Sequence, residues 1–113
     1  MSNIERFNTQ LYDFITQMYS LYPNDKNISS LKKKVYYGKL SQCDSMCKEF
    51  KKTVIPHCKQ ILSRDINYLL SIENNFLDRF KKYFISETEH NKKIIMDYLC
   101  VLVLLCQKIE LRI

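Results

Sequence analysis

Apolar residues recur every three or four positions along the first 21 residues, the pattern of a helix that buries one face. The stripe begins at Ile4 and ends at Leu21. Ser2 or Asn3 can cap the first turn, because their side-chain oxygens accept hydrogen bonds from its free amides. Pro23 ends the pattern, since the residue before a proline is displaced from the α region. We therefore predict a helix over residues 3–21.

Two shorter helices are predicted between the two prolines. The polar residues 24–27 form a turn, and the next helix extends to about Tyr37. Gly38 is expected to end it, because glycine adopts the left-handed conformation without steric cost. A third helix is expected to begin at Ser41 or Asp44 and to stop or kink at Pro56. The inward positions of the two helices are Ile28, Leu31, Val35, Met46, Cys47, Phe50, Val54 and Ile55, with Tyr36 as a further candidate.

Residues 58–85 have a less regular pattern, which fits several short helical turns as well as one helix. Asn74 and Asn75 interrupt it. A clearer signal follows, because Ser86 and Glu89 have the spacing of a capping box, in which each side chain satisfies an amide at the other position. We predict that the last helix begins at Ser86 and extends to about Leu111.

The last helix contains an unbroken apolar run from Tyr98 to Cys106. A surface helix needs a polar face, so a helix that is apolar on every side must be covered on every side. A membrane span needs about 20 apolar residues, and Asp97 and Gln107 bracket this shorter run. We predict that the run is the central helix of the domain and that any side left uncovered is a subunit interface. We place that interface at Tyr98, Leu102, Leu105 and Ile109.

These elements predict one all-α domain over residues 1–113, a bundle of four to five helices with a long, nearly all-apolar C-terminal helix. A chain of 113 residues buries about two thirds of its unfolded surface. One glycine and two prolines offer few tight turns, which argues against a multi-stranded β fold. Five cysteines, with an amphipathic rather than signal-like start to the chain, indicate free thiols and a reducing intracellular compartment.

The net charge of +6 is concentrated in one third of the chain, since residues 24–60 carry nine lysines against three acidic residues. Lysines interleaved with aromatic residues such as Tyr36 and Tyr37 can bind nucleic acid through phosphate contacts and stacking. The alternative is that such runs form solvated helix faces, with Tyr36 and Tyr37 half-buried. Arginine, the usual reader of bases, is absent from this segment, so any nucleic-acid contact would be nonspecific. The candidate residues are Lys32, Lys33, Lys34, Lys39, Lys48, Lys51, Lys52 and Lys59.

One group of residues resembles a set of zinc ligands. Cys43 and Cys47 are four residues apart and share a helix face, a spacing that zinc tolerates. His57 and Cys58 are adjacent, however, which makes joint ligation awkward. Two half-buried thiols beside a surface histidine is the simpler interpretation, so we assign no metal and no other cofactor.

Catalytic chemistry has little support in the sequence. His57 and His90 are the only histidines, the acidic residues are scattered, and no nucleotide-binding, zinc-protease or serine-hydrolase motif is present. With a single glycine, a loop that binds phosphate in the usual way cannot be built. We predict a protein that is not an enzyme and has no small-molecule substrate.

Four short patterns carry a resemblance to a known group of proteins. They are F-x₃-L-x₂-F followed by Y-P-x-D, then V-x-P-x₄-I-L-x-R-D, then N-K-x-I-I-x-D-Y-L-x-V-L, at residues 7–14, 22–25, 54–65 and 91–102. The chain resembles small helical proteins encoded by large nucleocytoplasmic DNA viruses of algae and protists. The resemblance covers most of the chain and implies a viral protein of the host cytoplasm or the virion. It transfers no catalytic residue.

These observations predict a structural or protein–protein interaction protein that associates with itself or with a virion. The alternative is a nonspecific nucleic-acid-binding protein that uses the lysines of residues 32–59.

Overall fold

Helices account for the regular structure of the described residues, which are 2–86 and 88–109 in the computed structural model. The described residues form no β-strand, so the predicted all-α class is confirmed. The α-helices are α1 (Asn3–Leu21), α2 (Lys26–Ser41), α3 (Ser45–Thr53), α4 (Cys58–Leu62), α5 (Ile66–Ser71), α6 (Asn75–Asp78), α7 (Lys81–Ser86) and α8 (Glu89–Gln107), and a 3₁₀ turn at Ile55–His57 joins α3 to α4.

The predicted number of four to five helices is wrong, because residues 58–86 divide into four short helices. Arg64 has a left-handed backbone with φ of 59° and separates α4 from α5. Asn74 is buried and begins α6, since its Oδ1 accepts from the amides of Phe76 and Leu77 at 3.1 and 3.0 Å. Its Nδ2 donates to the carbonyl of Thr53 at 2.8 Å, which fixes α6 against the end of α3.

The first helix, α1, lies at the centre of the fold. Its predicted bounds are confirmed, and the Ser2 hydroxyl caps it by accepting from the amide of Glu5 at 3.1 Å. The helix packs along α2 on one side and along α8 on the other. Its inward side chains have no exposed surface, and they are Phe7, Leu11, Phe14, Ile15 and Met18.

The helix α2 continues one turn beyond its predicted end. Gly38 lies inside the helix, with its carbonyl accepting from the amide of Cys43 at 3.0 Å. Gln42 is the left-handed residue, with φ of 53°, so the prediction of Gly38 as the C-cap is wrong. Asn8, which is buried on α1, donates to the carbonyl of Cys43 at 2.9 Å and ties this turn to the central helix.

The predicted capping box of the last helix is also wrong. Ser86 is the last residue of α7, and the hydroxyl of Thr88 caps α8 by accepting from the amide of Asn91 at 3.3 Å. The helix ends at Gln107. The predicted end, Leu111, lies outside the described residues.

The apolar run of α8 is not covered on every side, contrary to the prediction. Leu99 and Leu102 have no exposed surface, because α8 packs with this side on α1, α3 and α4. Val101 and Leu104 lie on the opposite side and are 41% and 48% exposed. No helix among the described residues is long and apolar enough to cross a lipid bilayer. The helix is therefore a flank of the core rather than its centre.

Asp25 connects α2 to α7 through one carboxylate that is only 6% exposed. It caps α2 by accepting from the amide of Ile28 at 3.2 Å, pairs with Lys82 Nζ at 2.9 Å and accepts from the hydroxyl of Tyr83. The ring of Tyr83 stacks on that of Tyr22, with centroids 3.6 Å apart. Burial raises the pKa of Asp25, but these hydrogen bonds and the ammonium outweigh it and lower the pKa to about 2.

Candidate nucleic-acid interface

An open groove of about 390 Å³ lies between α1 and α2. Sites for small organic ligands begin at about 300 Å³, so the groove is large enough to accept a planar ring. Four tyrosines, two lysines and a serine line it, and we call it the Tyr/Lys groove. These residues are Tyr12, Tyr19, Ser29, Lys32, Lys33, Tyr36 and Tyr37.

The buried stripes of the two helices determine which residues reach the groove. Tyr12 and Tyr19 are seven residues apart, so they share one flank of α1 beside its buried stripe. Lys32 and Tyr36 are four residues apart and share the flank of α2 beside its buried residues. Because α1 and α2 pack along each other, these two flanks become the walls of the groove.

Two lysines of α2 are held over tyrosine rings of α1. Lys32 Nζ lies 4.6 Å from the ring centroid of Tyr19, and Lys39 Nζ lies 4.9 Å from that of Tyr12. The negative face of an aromatic ring attracts a cation at such distances. Tyr36 contacts Tyr12 as well, with a centroid distance of 5.7 Å. The groove therefore has ordered cations along an aromatic wall.

The outer rim of the groove presents two tyrosine rings to solvent. Tyr36 is 43% and Tyr37 is 69% exposed, and their centroids are 5.9 Å apart. Lys33 is exposed beside them. Within the part of the chain that the structure describes, neither Lys32 nor Lys33 forms an ion pair with a carboxylate. The site thus combines accessible rings with two lysines that have no ion pair among the described residues.

The eight lysines predicted as one surface do not lie together. Lys32 and Lys33 line the groove, and Lys39 contacts its wall. Lys48 pairs with Asp44 at 3.3 Å, and Lys51 donates to the carbonyl of Ile109 at 2.6 Å. The remaining lysines are exposed on the outer side of α2, on α3 and on α4, and they are Lys34, Lys52 and Lys59.

Three of the seven lining residues were not predicted from the sequence. Tyr12 and Tyr19 lie on a helix that carries little of the positive charge, and Ser29 has no distinctive pattern. The seven-residue spacing of the two tyrosines, beside the apolar stripe, was the available signal. It gains meaning only when α2 is known to pack on that flank.

The residues predicted as a protein interface are mostly turned inward. Leu102 has no exposed surface and Ile109 is 3% exposed. Tyr98 is half-buried and stacks on Phe14, with centroids 5.3 Å apart, and Leu105 is half-buried. The apolar surface that α8 presents to solvent lies instead at Val101 and Leu104.

The cysteine and histidine group is dispersed. Cys47 is buried with its Sγ 3.9 Å from that of Cys106, while His57 Nδ1 lies 2.9 Å from the hydroxyl of Tyr68. Residues 2–86 and 88–109 contain no group of three or more histidine, cysteine or acidic side chains arranged to hold a metal ion. The hydrogen bond with Cys106 and burial both raise the pKa of Cys47, which keeps this thiol protonated. Cys43, Cys47, His57 and Cys58 therefore do not form one site.

Comparison with protein-family models, with curated proteins and with solved structures gives no match. The resemblance to proteins of large DNA viruses therefore stays a prediction.

Proposed function

We propose that this protein is not an enzyme and binds single-stranded nucleic acid, without sequence preference, through the Tyr/Lys groove. One observation carries the proposal: the exposed rings of Tyr36 and Tyr37 line the same groove as Lys32 and Lys33, which form no ion pair within the described residues.

Each part of the groove corresponds to one part of a nucleotide. The ring of Tyr37 is accessible for stacking, and every base has a face that can stack on it. Lys32 and Lys33 supply charge for the backbone phosphates. Stacking of this kind needs bases that are free of a partner strand, since paired bases are stacked on one another. Single strands are therefore the expected ligand, in preference to duplexes.

Fluorescence anisotropy with a labelled 15-nucleotide oligothymidylate tests the proposal. We expect binding that weakens linearly with the logarithm of salt concentration, with a slope of about 0.7 per phosphate contacted. A blunt duplex of the same length should bind more weakly. The chain has eight tyrosines and no tryptophan, so stacking should also quench its tyrosine fluorescence. Absence of binding at low salt would refute the proposed function.

A matched pair of variants separates stacking from general charge. Tyr37→Ala removes a ring that is 69% exposed, and Ile85→Ala on α7 removes an apolar side chain that is 70% exposed. Stacking on one base contributes about 1–3 kcal/mol, so Tyr37→Ala should weaken binding by about fivefold or more. Ile85→Ala should leave it unchanged, and Tyr37→Phe should retain most of it. Equal effects of the two alanine variants would exclude Tyr37 as a stacking residue.

Self-association through α8 is the second candidate. Val101 and Leu104 are three residues apart on one exposed side of the helix, next to a shallow recess of about 220 Å³ that Tyr98 and Val101 line. Two copies could bury these sides against each other in a symmetric helix pair. Light scattering at micromolar concentration should then show a dimer. Leu104→Glu should dissociate it while Ile85→Glu should not, and a monomeric wild type removes this candidate.

The resemblance to viral proteins supports a role in a virion or in the cytoplasm of an infected host. Mass spectrometry of purified virions of the source virus tests this role. Enrichment of the chain in virions supports a structural role, and its absence from them argues against one.

A further inference from the structure

We propose that a second recess, on the opposite flank of α2 from the Tyr/Lys groove, binds a phosphate of the same nucleic-acid strand. This inference rests on the proposed function and adds a residue outside the lysine-rich segment, Arg79. The recess has a volume of about 170 Å³. Its lining residues are Asn27, Ser30, Leu31, Lys34 and Arg79.

Two cations share this recess. Arg79 follows α6 and is anchored by its Nη1, which donates to the carbonyl of Asn75 at 2.9 Å. Its neighbour Asp78 is already paired with Lys81 at 2.8 Å. Among the carboxylates that the structure describes, none forms an ion pair with Lys34 or Arg79. A guanidinium and an ammonium that face one small recess without an acidic partner match the charge and hydrogen-bonding needs of a phosphate.

The path of a strand over α2 connects this phosphate recess to the Tyr/Lys groove. Successive residues of a helix point about 100° apart, which is why Lys33 lines the groove and Lys34 lines the phosphate recess. Tyr37 is three residues beyond Lys34 on α2, a spacing at which side chains are neighbours on a helix surface. A strand with one base stacked on Tyr37 thus has a neighbouring phosphate within reach of Lys34 and Arg79.

One acidic residue opposes the site. Glu49 on α3 lines an adjoining recess together with Lys34 and Arg79. It forms no ion pair with a cation of the described residues, but its charge reduces the attraction for a phosphate. Removal of the Glu49 charge should therefore strengthen nucleic-acid binding, whereas removal of the charge of Lys34 or Arg79 should weaken it.

Oligothymidylate binding by charge variants tests the phosphate recess. Lys34→Gln and Arg79→Gln should each weaken binding about threefold to fivefold and lower the salt slope by about 0.7. Lys93→Gln on α8, which removes the same charge from an exposed site on another helix, should change affinity less than about twofold. Arg79→Lys should restore most of the binding, and Glu49→Gln should tighten it. Thermal melts should show that each variant is folded.

The outcomes separate this inference from the proposed function. If the wild type binds the strand but Lys34→Gln and Arg79→Gln behave like Lys93→Gln, the phosphate recess is refuted and the Tyr/Lys groove remains. If the wild type does not bind the strand, a nuclear magnetic resonance titration with inorganic phosphate tests whether the phosphate recess binds phosphate independently of nucleic acid. Chemical-shift changes at the Arg79 Nε–H that are absent at Arg64 support a phosphate site in the recess. If the Arg79 signal does not change, the phosphate recess is refuted.

Discussion

Replacement of Asp25 by asparagine is expected to remove a pH-dependent part of the free energy of unfolding. The pKa of Asp25 is lowered from 3.8 to about 2 in the folded chain. Each unit corresponds to about 1.4 kcal/mol, so the carboxylate contributes about 2 kcal/mol when it is ionised in both states. Asparagine is an equally good N-cap and can still accept from Tyr83, so the variant removes mainly the charge. Lys82 is 62% exposed, so its ammonium stays solvated when the carboxylate of Asp25 is replaced.

The direction of the pH dependence follows from the lowered pKa. The contribution of Asp25 is fully present above its unfolded pKa of about 4 and is lost as the pH falls through the folded value of about 2. Urea unfolding followed by circular dichroism should therefore show the wild type about 2 kcal/mol more stable than Asp25→Asn at pH 6. The difference should vanish near pH 2. A difference below about 0.5 kcal/mol at pH 6, or one that does not change with pH, would refute the reasoning.

Three further substitutions test the helical conformation of α2 and the orientation of α8. Gly38→Ala should stabilise the chain by about 0.8–1.0 kcal/mol, because Gly38 is inside α2 and an added Cβ meets nothing within 4 Å; a lower midpoint in urea would contradict this. Leu102→Ala should lower the free energy of unfolding by about 2–5 kcal/mol. Leu104→Ala, on the exposed side of α8, should change it by less than about 1 kcal/mol. Similar urea midpoints for these two variants would contradict the orientation of α8.

Local sequence signals predicted α1 because several of them agree. The apolar stripe, the cap at Ser2 and the stop at Pro23 all specify the same bounds, and the structure has them. The signals around Gly38 and Ser86 were each a single residue or pair. At Gly38 the helix continues to Ser41 and the left-handed residue is Gln42, whereas Ser86 ends α7 and the hydroxyl of Thr88 caps α8 in its place.

The exposed side of α8 and the full lining of the candidate site could not be predicted from the sequence, because both depend on contacts between residues far apart in the chain. The apolar run from Tyr98 to Cys106 shows that the helix is near the core, but only the placement of α1 and α3 decides that Leu102 is covered and Val101 is not. Likewise, the lysines and tyrosines of α2 were visible in the sequence. Their partners on α1 became evident only once the two helices were seen to pack together, and Arg79 could not be associated with Lys34 from spacing alone.

The lysine–tyrosine contacts across the groove have a consequence for binding thermodynamics. Lys32 and Lys39 lie over the rings of Tyr19 and Tyr12 in the absence of a ligand, and both rings belong to the central helix α1. Ordering a free side chain on binding costs about 0.5–1.5 kcal/mol. That loss of rotamer freedom has already occurred here during folding. A ligand that enters the groove therefore causes a smaller loss of side-chain entropy at these lysines. A larger part of the electrostatic attraction then contributes to the free energy of binding.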